Sequence, residues 1–347
     1  MKRLGKGLFD KIVDIGNIRL ADEKAQQGKS SRPEVIEHNE HREQNLIKIH
    51  DMLISGTYKP SKYRNFMVHE PKERIISALP YYPDRIIHHA IMNILEPTWK
   101  KTFTYNSYAC IKGRGITACM KRVRRIIDTY TRQNRQLYCL KIDIRHFYPS
   151  VNGDIMKTII RKKIKCARTL ALLDTIIDSA EGLPIGNYTS QYLANLYLAY
   201  FMHTMTDTIR VDCVEYSDDI IFFSDSKDYL HDLLKNTIMP HLNTLGLIVK
   251  PNYQVFPVKH DRYDTGGRLL DFVGYTFGTG CTGLRKRTKE RFARKTARLR
   301  KHGIRGKRLF IKTSSYTGWC KHADCISLAK HILGKEQKHI KWLNKAA

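Results

Sequence analysis

The sequence predicts an α+β fold, and three observations carry that prediction. Apolar residues recur at helical spacing over residues 84–99 and 190–205. β-Branched and aromatic residues concentrate instead in 137–148, 211–224 and 269–283. Turn residues interrupt the last two of these stretches, so each reads as an antiparallel hairpin set among helices.

The elements follow in chain order. Residues 1–60 are polar and mainly helical in pattern, interrupted at 26–33 (QQGKSSRP) by a flexible loop whose Gly, Ser and Pro break the periodicity. Ile86, Ile87, Ala90, Ile91, Ile94 and Leu95 mark an amphipathic helix over 84–99. Residues 137–148 read as a strand, in which alternation sets Cys139, Lys141 and Asp143 on one face and Leu140 and Ile142 on the other. A helix is expected over 190–205, capped by Thr189 or Ser190. Residues 211–224 read as two strands around a tight turn at Ser217–Asp218, and 269–283 as a hairpin with turn glycines at 278, 280 and 283. Residues 285–312 then carry a dense set of Lys and Arg against one acid, Glu290, with a narrow apolar stripe of Phe292, Thr296 and Leu299. A solvated helix face usually mixes signs, so this one is expected to meet phosphate.

Composition sets the wider bounds. A chain of 347 residues that is 42% hydrophobic can build a full core. Its 61 Lys and Arg against 33 Asp and Glu give a formal net charge of +28, which repels itself in the compact state and suits a polyanionic partner, nucleic acid before an acidic membrane surface. No apolar run reaches the roughly 18 residues of a membrane span, and the N-terminus lacks the apolar core of a secretory signal. The eight cysteines form no C-x-x-C pair and read as reduced thiols of a cytoplasmic protein. Cys320 and Cys325 flank His322, but no second ligand pair stands at usable spacing, so zinc is not expected.

The chemistry concentrates at Tyr216-Ser217-Asp218-Asp219. Two adjacent carboxylates at a hairpin turn repel each other unless a cation bridges them. The apolar flanks Val214 and Ile220–Phe223 imply that a buried sheet presents the turn, which disfavours a merely solvated acidic loop. Asp143, at the end of its own strand, can supply a third carboxylate, and three such groups suit a site for two divalent ions about 3.5–4 Å apart that clamps the oxygens of phosphoryl transfer. Oxygen-only ligands suit Mg²⁺, with Mn²⁺ as substitute.

The order of these segments resembles the reverse transcriptases. The Asp143 strand is similar to their first palm motif and Tyr216–Asp219 to their catalytic hairpin. Phe272-Val273-Gly274-Tyr275 is similar to the primer grip, 314–323 (SSYTGWCKHA) to the thumb motif of bacterial members, and 71–76 (PKERII) and 112–115 (KGRG) to finger motifs. The resemblance covers about residues 60 to 330. It implies a right-hand polymerase fold: an N-terminal helical extension over 1–60, fingers over 61–136, a palm of antiparallel sheet and helices over 137–283, and a basic helical thumb over 284–347. The segment 185–191 (IGNYTSQ), where relatives have Q-G-x-x-x-S-P, is similar to the enzymes of diversity-generating retroelements. That likeness implies a bacterial or phage RNA-directed DNA polymerase. It copies a template-repeat RNA into cDNA with errors opposite adenine, aided by a small, basic, helical accessory protein.

The resemblance also distributes roles. Asp143, Asp218 and the backbone carbonyl of Ile144 would hold two Mg²⁺ ions, with Asp219 supporting the catalytic one. Lys72 and Arg74 would pair with dNTP phosphates, Arg74 as a fork donor. Tyr148 would exclude the ribose 2′-OH, though a core aromatic is the plainer alternative. Ile185, Gly186 and Gln191 would line the nucleotide, and Gly186 would let backbone approach it closely. Phe272, Gly274 and Tyr275 would grip the primer. Arg114, Arg291, Arg294, Lys295, Arg298 and Lys301 would contact nucleic acid. One departure stands out: relatives carry L-G-L-x-x-x-P-x-K, and this chain has Tyr253 at the lysine position, leaving Lys250 as a nearby substitute. Two other readings compete, a retron- or defence-type reverse transcriptase and a non-catalytic RNA-binding scaffold on the same fold. Intact Asp143, Asp218 and Asp219 argue against the scaffold.

Overall fold

A computed structural model describes residues 3–69 and 73–334; Lys72 and residues 335–347 of the expected thumb lie outside the described residues. The chain opens on helices α1 (Leu8–Val13), α2 (Ile15–Gln26), α3 (Pro33–Glu40) and α4 (Arg42–Ile54), and turns at 27–32 fill the loop expected there. A two-stranded ribbon follows, β1 (Arg64–Val68) against β2 (Arg74–Ala78), and then α5 (Ile86–Lys100) and α6 (Ile116–Arg132). Next come β3 (Tyr138–Asp143), α7 (Phe147–Ser150), α8 (Gly153–Arg161), α9 (Ala167–Ile177) and α10 (Ser190–His203). The hairpin β4 (Asp212–Tyr216) and β5 (Asp219–Ser224) leads to α11 (Lys227–Leu233), α12 (Met239–Thr244) and β6 (Gln254–Pro257). The described chain ends with β7 (Leu270–Phe272), β8 (Tyr275–Phe277), β9 (Thr282–Leu284), α13 (Lys286–Lys301), α14 (Gly306–Cys320) and α15 (Ile326–Leu333).

The central sheet has the order β4-β5-β3-β6 with antiparallel neighbours throughout. Both of its faces are covered. Leu140, Ile142, Cys213, Ile220 and Phe222 belong to a core shared with α5 and α10, while Cys139, Val214, Ile221 and Phe223 belong to a second core shared with α6 and the β7-β8-β9 sheet. Two-sided burial explains why β5 reads as an unbroken apolar run rather than an alternating one.

Three expectations change. The 137–148 stretch is a strand only to Asp143, because β3 loses its partner where β5 begins at Asp219; His146 takes φ 45° and starts the short α7. Residues 269–283 form three strands rather than one hairpin: Val273 (φ 44°) and Gly274 (φ 84°) make a two-residue turn, glycines 278 and 280 lie in the next turn, and Gly283 is inside β9. A β-branched residue at positive φ is rare, which hid the first turn from the sequence. Neither Thr189 nor Ser190 caps α10 by side chain; the Thr189 hydroxyl lies 3.2 Å from buried His88 Nδ1.

The basic stretch 285–312 divides between α13 and α14 at Gly303, whose φ of 73° stops the first helix. Phe292 is fully buried and stacks on Tyr316 at 5.4 Å. Trp319 stacks on Tyr275 at 5.1 Å and lies against Gly274, where a Cβ would come within 2.4 Å of the indole. Gly274→Ala should therefore cost about 2–4 kcal/mol through clash and left-handed strain together, whereas Gly303→Ala, with open space around it, should cost about 1–2 kcal/mol. Urea unfolding midpoints of the two variants check the ranking; equal losses would mean that Trp319 yields freely.

Candidate active site

The register of β3 against β5 sets Asp143 directly opposite Asp219, so both side chains leave one face at one end of the central sheet. Asp218 sits beside them in the β4–β5 turn, which Ser217 makes possible by taking φ 61°. Backbone bonds hold this end in place: the Ile144 N–H donates to Asp218 O at 3.2 Å, the Lys250 N–H to Asp143 O at 2.9 Å and the Arg145 N–H to Ile248 O at 2.8 Å. Lys250 Nζ also lies 2.5 Å from Asp143 Oδ1. This ion pair is the contact the structure gives the buried Oδ1.

The donor chemistry at this end fits hard divalent ions. Asp143, Asp218 and Asp219 offer oxygen only, the donor type that hard divalent ions prefer. Among the described residues no three Asp, Glu, His or Cys side chains converge into a ready ligand cluster. Lys250 instead supplies the positive charge beside Asp143.

Several of the residues expected to meet a nucleotide stand next to these acids. Tyr148, on α7, is half-buried, and its hydroxyl bonds Ser217 within the fields of Cys110, Asp218 and Arg74. Burial first, then the Cys110 thiol, push the phenol up to about 12. Residues 182–186 run past it: the Leu183 N–H donates to Tyr148 O at 2.8 Å, and the Ser77 N–H donates to Ile185 O at 2.8 Å. Gly186 has φ 139° and lies so close to β2 that a Cβ would sit 2.6 Å from Ser77 O. Arg74 at the start of β2, Tyr148, Ile185, Gly186 and the Ser217–Asp218 turn thus stand near one another. Asn187 anchors the loop through Nδ2 to the Tyr63 hydroxyl at 2.8 Å. Gln191 is exposed on the first turn of α10.

Other predicted contacts fall elsewhere. Phe272 and Tyr275 are buried in the second core and shape the grip turn rather than present a surface; Gly274 forms the turn itself. Arg114 is turned inward, donating to the carbonyls of Thr104 and Ser107 (3.0 Å to the latter), so its expected nucleic-acid contact is replaced by a bracing one. Backbone carbonyls at a chain reversal need donors, and this guanidinium supplies them. On α13, Arg291, Arg294, Lys295 and Arg298 line a groove of about 480 Å³ with Arg287 and Tyr316, and Lys301 lies one turn beyond.

The sequence reading missed Glu215. It is 1% exposed on β4, accepts a hydrogen bond from Ser107 Oγ at 2.5 Å, and pairs by backbone with Asn106 and Tyr108. Its place beside the Tyr216–Asp219 motif was visible, but only the fold shows that the 104–108 segment covers it.

A buried antiparallel sheet with acids at its hairpin end, helices packed on it and a basic helix beyond it define a right-hand polymerase fold. The reverse transcriptase (RNA-dependent DNA polymerase) family matches residues 61–263, more than half of the chain, and the chain belongs to that family. Protein YkfC of Escherichia coli K12 is 24% identical over 165 residues, covering 44% of this chain and 43% of YkfC. Nuclear intron maturase 1, mitochondrial, of Arabidopsis thaliana is 26% identical over 103 residues, covering 29% of this chain and 14% of the maturase. Each match thus spans less than half of the curated relative. Apo telomerase from Candida tropicalis superposes with a TM-score of 0.53 at 11% identity, covering 83% of this chain and 58% of that one, a likeness of fold.

Burial pushes Glu215 up to about 7, against the opposing pull of Ser107 and Arg114. The folded state therefore keeps this proton more tightly than the unfolded chain, and stability falls as pH rises from the ordinary carboxylate range through about 7, then levels. The loss should reach about 3 kcal/mol. Glu215→Gln should remove that part of the pH dependence, read as the difference in urea midpoint between pH 5 and pH 8. An identical pH profile in both proteins would show that Glu215 is ionised at little cost.

Proposed function

We propose that this chain is an RNA-directed DNA polymerase that copies a template RNA into cDNA from dNTPs, using two Mg²⁺ ions. One observation carries the reading: the β3–β5 register gathers Asp143 and Asp219, with Asp218 at the adjoining turn, next to Arg74, Tyr148, Ile185 and Gly186. Asp143, Asp218, Asp219 and the Ile144 carbonyl would hold the ions, which supply charge neutralisation and an activated 3′-hydroxyl. The protein's own groups do the rest. Arg74 offers a planar fork to phosphate oxygens, and the close backbone at Gly186 lets the nucleotide lie against the chain. The Tyr148 ring would exclude a 2′-hydroxyl by contact with its flat face. The α13 groove, with Arg291, Arg294, Lys295 and Arg298, offers phosphate contacts for the product duplex.

Within the family, the 185–191 segment supports a role in a diversity-generating retroelement, with mutagenic copying opposite adenine and a small basic accessory protein as partner. A second reading, an RNA-binding scaffold, draws on the ion pair that neutralises Asp143. Primer extension on poly(rA)/oligo(dT) with Mg²⁺ separates the two. Asp218→Asn should abolish extension while RNA affinity stays near wild type, because a neutral amide cannot balance divalent charge. Turnover within about tenfold of wild type would remove Asp218 from the reaction.

Ile185 bears on fidelity. A glutamine side chain there could hydrogen-bond near the nascent pair, whereas isoleucine offers dispersion contacts and a stiff, branched shape. One lost bond is worth about 0.5–1.5 kcal/mol, or roughly 2- to 12-fold in discrimination. Ile185→Gln should lower errors opposite template adenine by about that factor, and by less at the other bases, in sequenced cDNA. Equal improvement at all four bases would detach Ile185 from adenine mutagenesis.

A further inference from the structure

We propose that a second groove, on the face of α6 turned away from the central sheet, holds the phosphate backbone of a structured RNA outside the site where the template is copied. The inference takes RNA as the polyanion from the function proposed above; the groove itself stands on its own geometry. Cys119, Met120, Val123, Ile126, Ile127 and Tyr130 bury one side of α6 against the second core. The other side presents Lys121, Arg125 and Arg132 to a concavity of about 900 Å³, closed opposite by Lys321 and His322 at the end of α14. The residues lining this groove and those lining the α13 groove share no member.

The charges in the groove are not balanced from within. Asp128 is engaged by Arg124 Nε at 2.7 Å, and the same guanidinium donates to Gly278 O at 2.7 Å and Thr279 O at 3.0 Å. The Asp324 carboxylate accepts from the Thr282 N–H at 2.7 Å. Arg124 and both acids are thus occupied in joining α6, the β8–β9 turn and the end of α14. Lys121, Arg125 and Lys321 have no ion-pair partner among the described residues. The imidazole of His322 reports the resulting field: burial first, then Lys121 and Lys321, from two different elements, lower its affinity for a proton. Like charges converging in a concave site raise the local concentration of a polyanion.

The lining also favours one kind of polyanion. It contains no Phe, Tyr or Trp, so it lacks the large aromatic platforms on which unpaired bases stack best and the aromatic anchors that dominate protein interfaces. Lys121 and Arg132 are separated along the helix by about 16 Å at 1.5 Å per residue, enough to follow several phosphates. Cations without base-reading partners grip shape and backbone, which is how paired RNA is recognised.

The test replaces Lys121, Arg125 and Lys321 together with Gln and compares two substrates, a long hairpin RNA and a short poly(rA)/oligo(dT) duplex. Hairpin affinity should fall about tenfold or more and its log–log salt slope by about 2–3, since each lost phosphate contact removes roughly 0.7–0.9. Extension of the short duplex should stay within about twofold. Replacing Lys121 and Lys321 with Arg instead, with Arg125 kept, preserves the charge and should retain hairpin binding, and equal unfolding midpoints for the variants exclude misfolding as the cause. Unchanged hairpin affinity and slope would overturn the proposal. So would a parallel fall in short-duplex extension, which would make the groove part of the copying site, or a loss confined to polyglutamate binding, which would indicate an acidic protein. Wild-type extension of the short duplex reports separately on the polymerase reading, so failure there leaves the groove's result intact.

Discussion

The pairing of β3 with β5 fixes more of this molecule than any other contact. It aligns Asp143 with Asp219, joins Cys139 to Phe223 and Leu140 to Phe222, and ends where the acids begin. Because both faces of the sheet are buried, a slip of one residue would exchange the side chains of two different cores at once. The apolar content of β5 is therefore what holds two carboxylates opposite each other, an arrangement their own repulsion disfavours. Lys250, brought in by the segment before β6, relieves part of that repulsion at Asp143. The residues that offer the chemistry are thus held in place by residues that have none.

Two buried imidazoles near the sheet are kept neutral. His88 and His89 are held well below the ordinary imidazole range, first by burial and then by nearby cations, and His89 lies flat on Tyr188 at 3.8 Å. Asp22 is the exception that stays charged. Burial opposes its ionisation, but His38, Tyr81, Arg42 and Gln26 all bond it and hold it below the usual carboxylate range. That knot ties α2 to α3, α4 and the turn before α5 through the Asp22 carboxylate. In a chain of net charge +28, such internal pairing leaves the surplus cations for the surface, where an anionic partner can meet them.

Much of this was legible in the sequence, and the division follows physical lines. The helix of α5, the two strands around Ser217–Asp218 and the cationic character of α13 could be read because each is local: a period, a turn or a charge run written in consecutive residues. The extent of β3 could not, because its end is set by where a partner 76 positions away begins. The Val273–Gly274 turn was hidden by a residue type that rarely takes its backbone shape. Arg114 and Glu215 were misjudged or overlooked for one reason. Each is defined by the 104–108 segment folding over β4, and nothing in a basic residue after a glycine, or an acid before a tyrosine, says which will be covered.

Backbone strain adds a last constraint on the site. Cys110, His146 and Ser217 all take positive φ without being glycine. Cys110 and Ser217 both act on the Tyr148 hydroxyl, and His146 sits two residues before it on the same chain reversal. Each such residue costs on the order of 1–3 kcal/mol, so the arrangement persists only because its surroundings over-determine it. The β3–β5 register, the 104–108 cover on Glu215 and the bond from Ser77 to Ile185 supply that determination from three sides. A backbone held this way has little freedom to yield. On the function proposed above, loose copying would come from side chains that fail to discriminate, such as Ile185, rather than from the backbone.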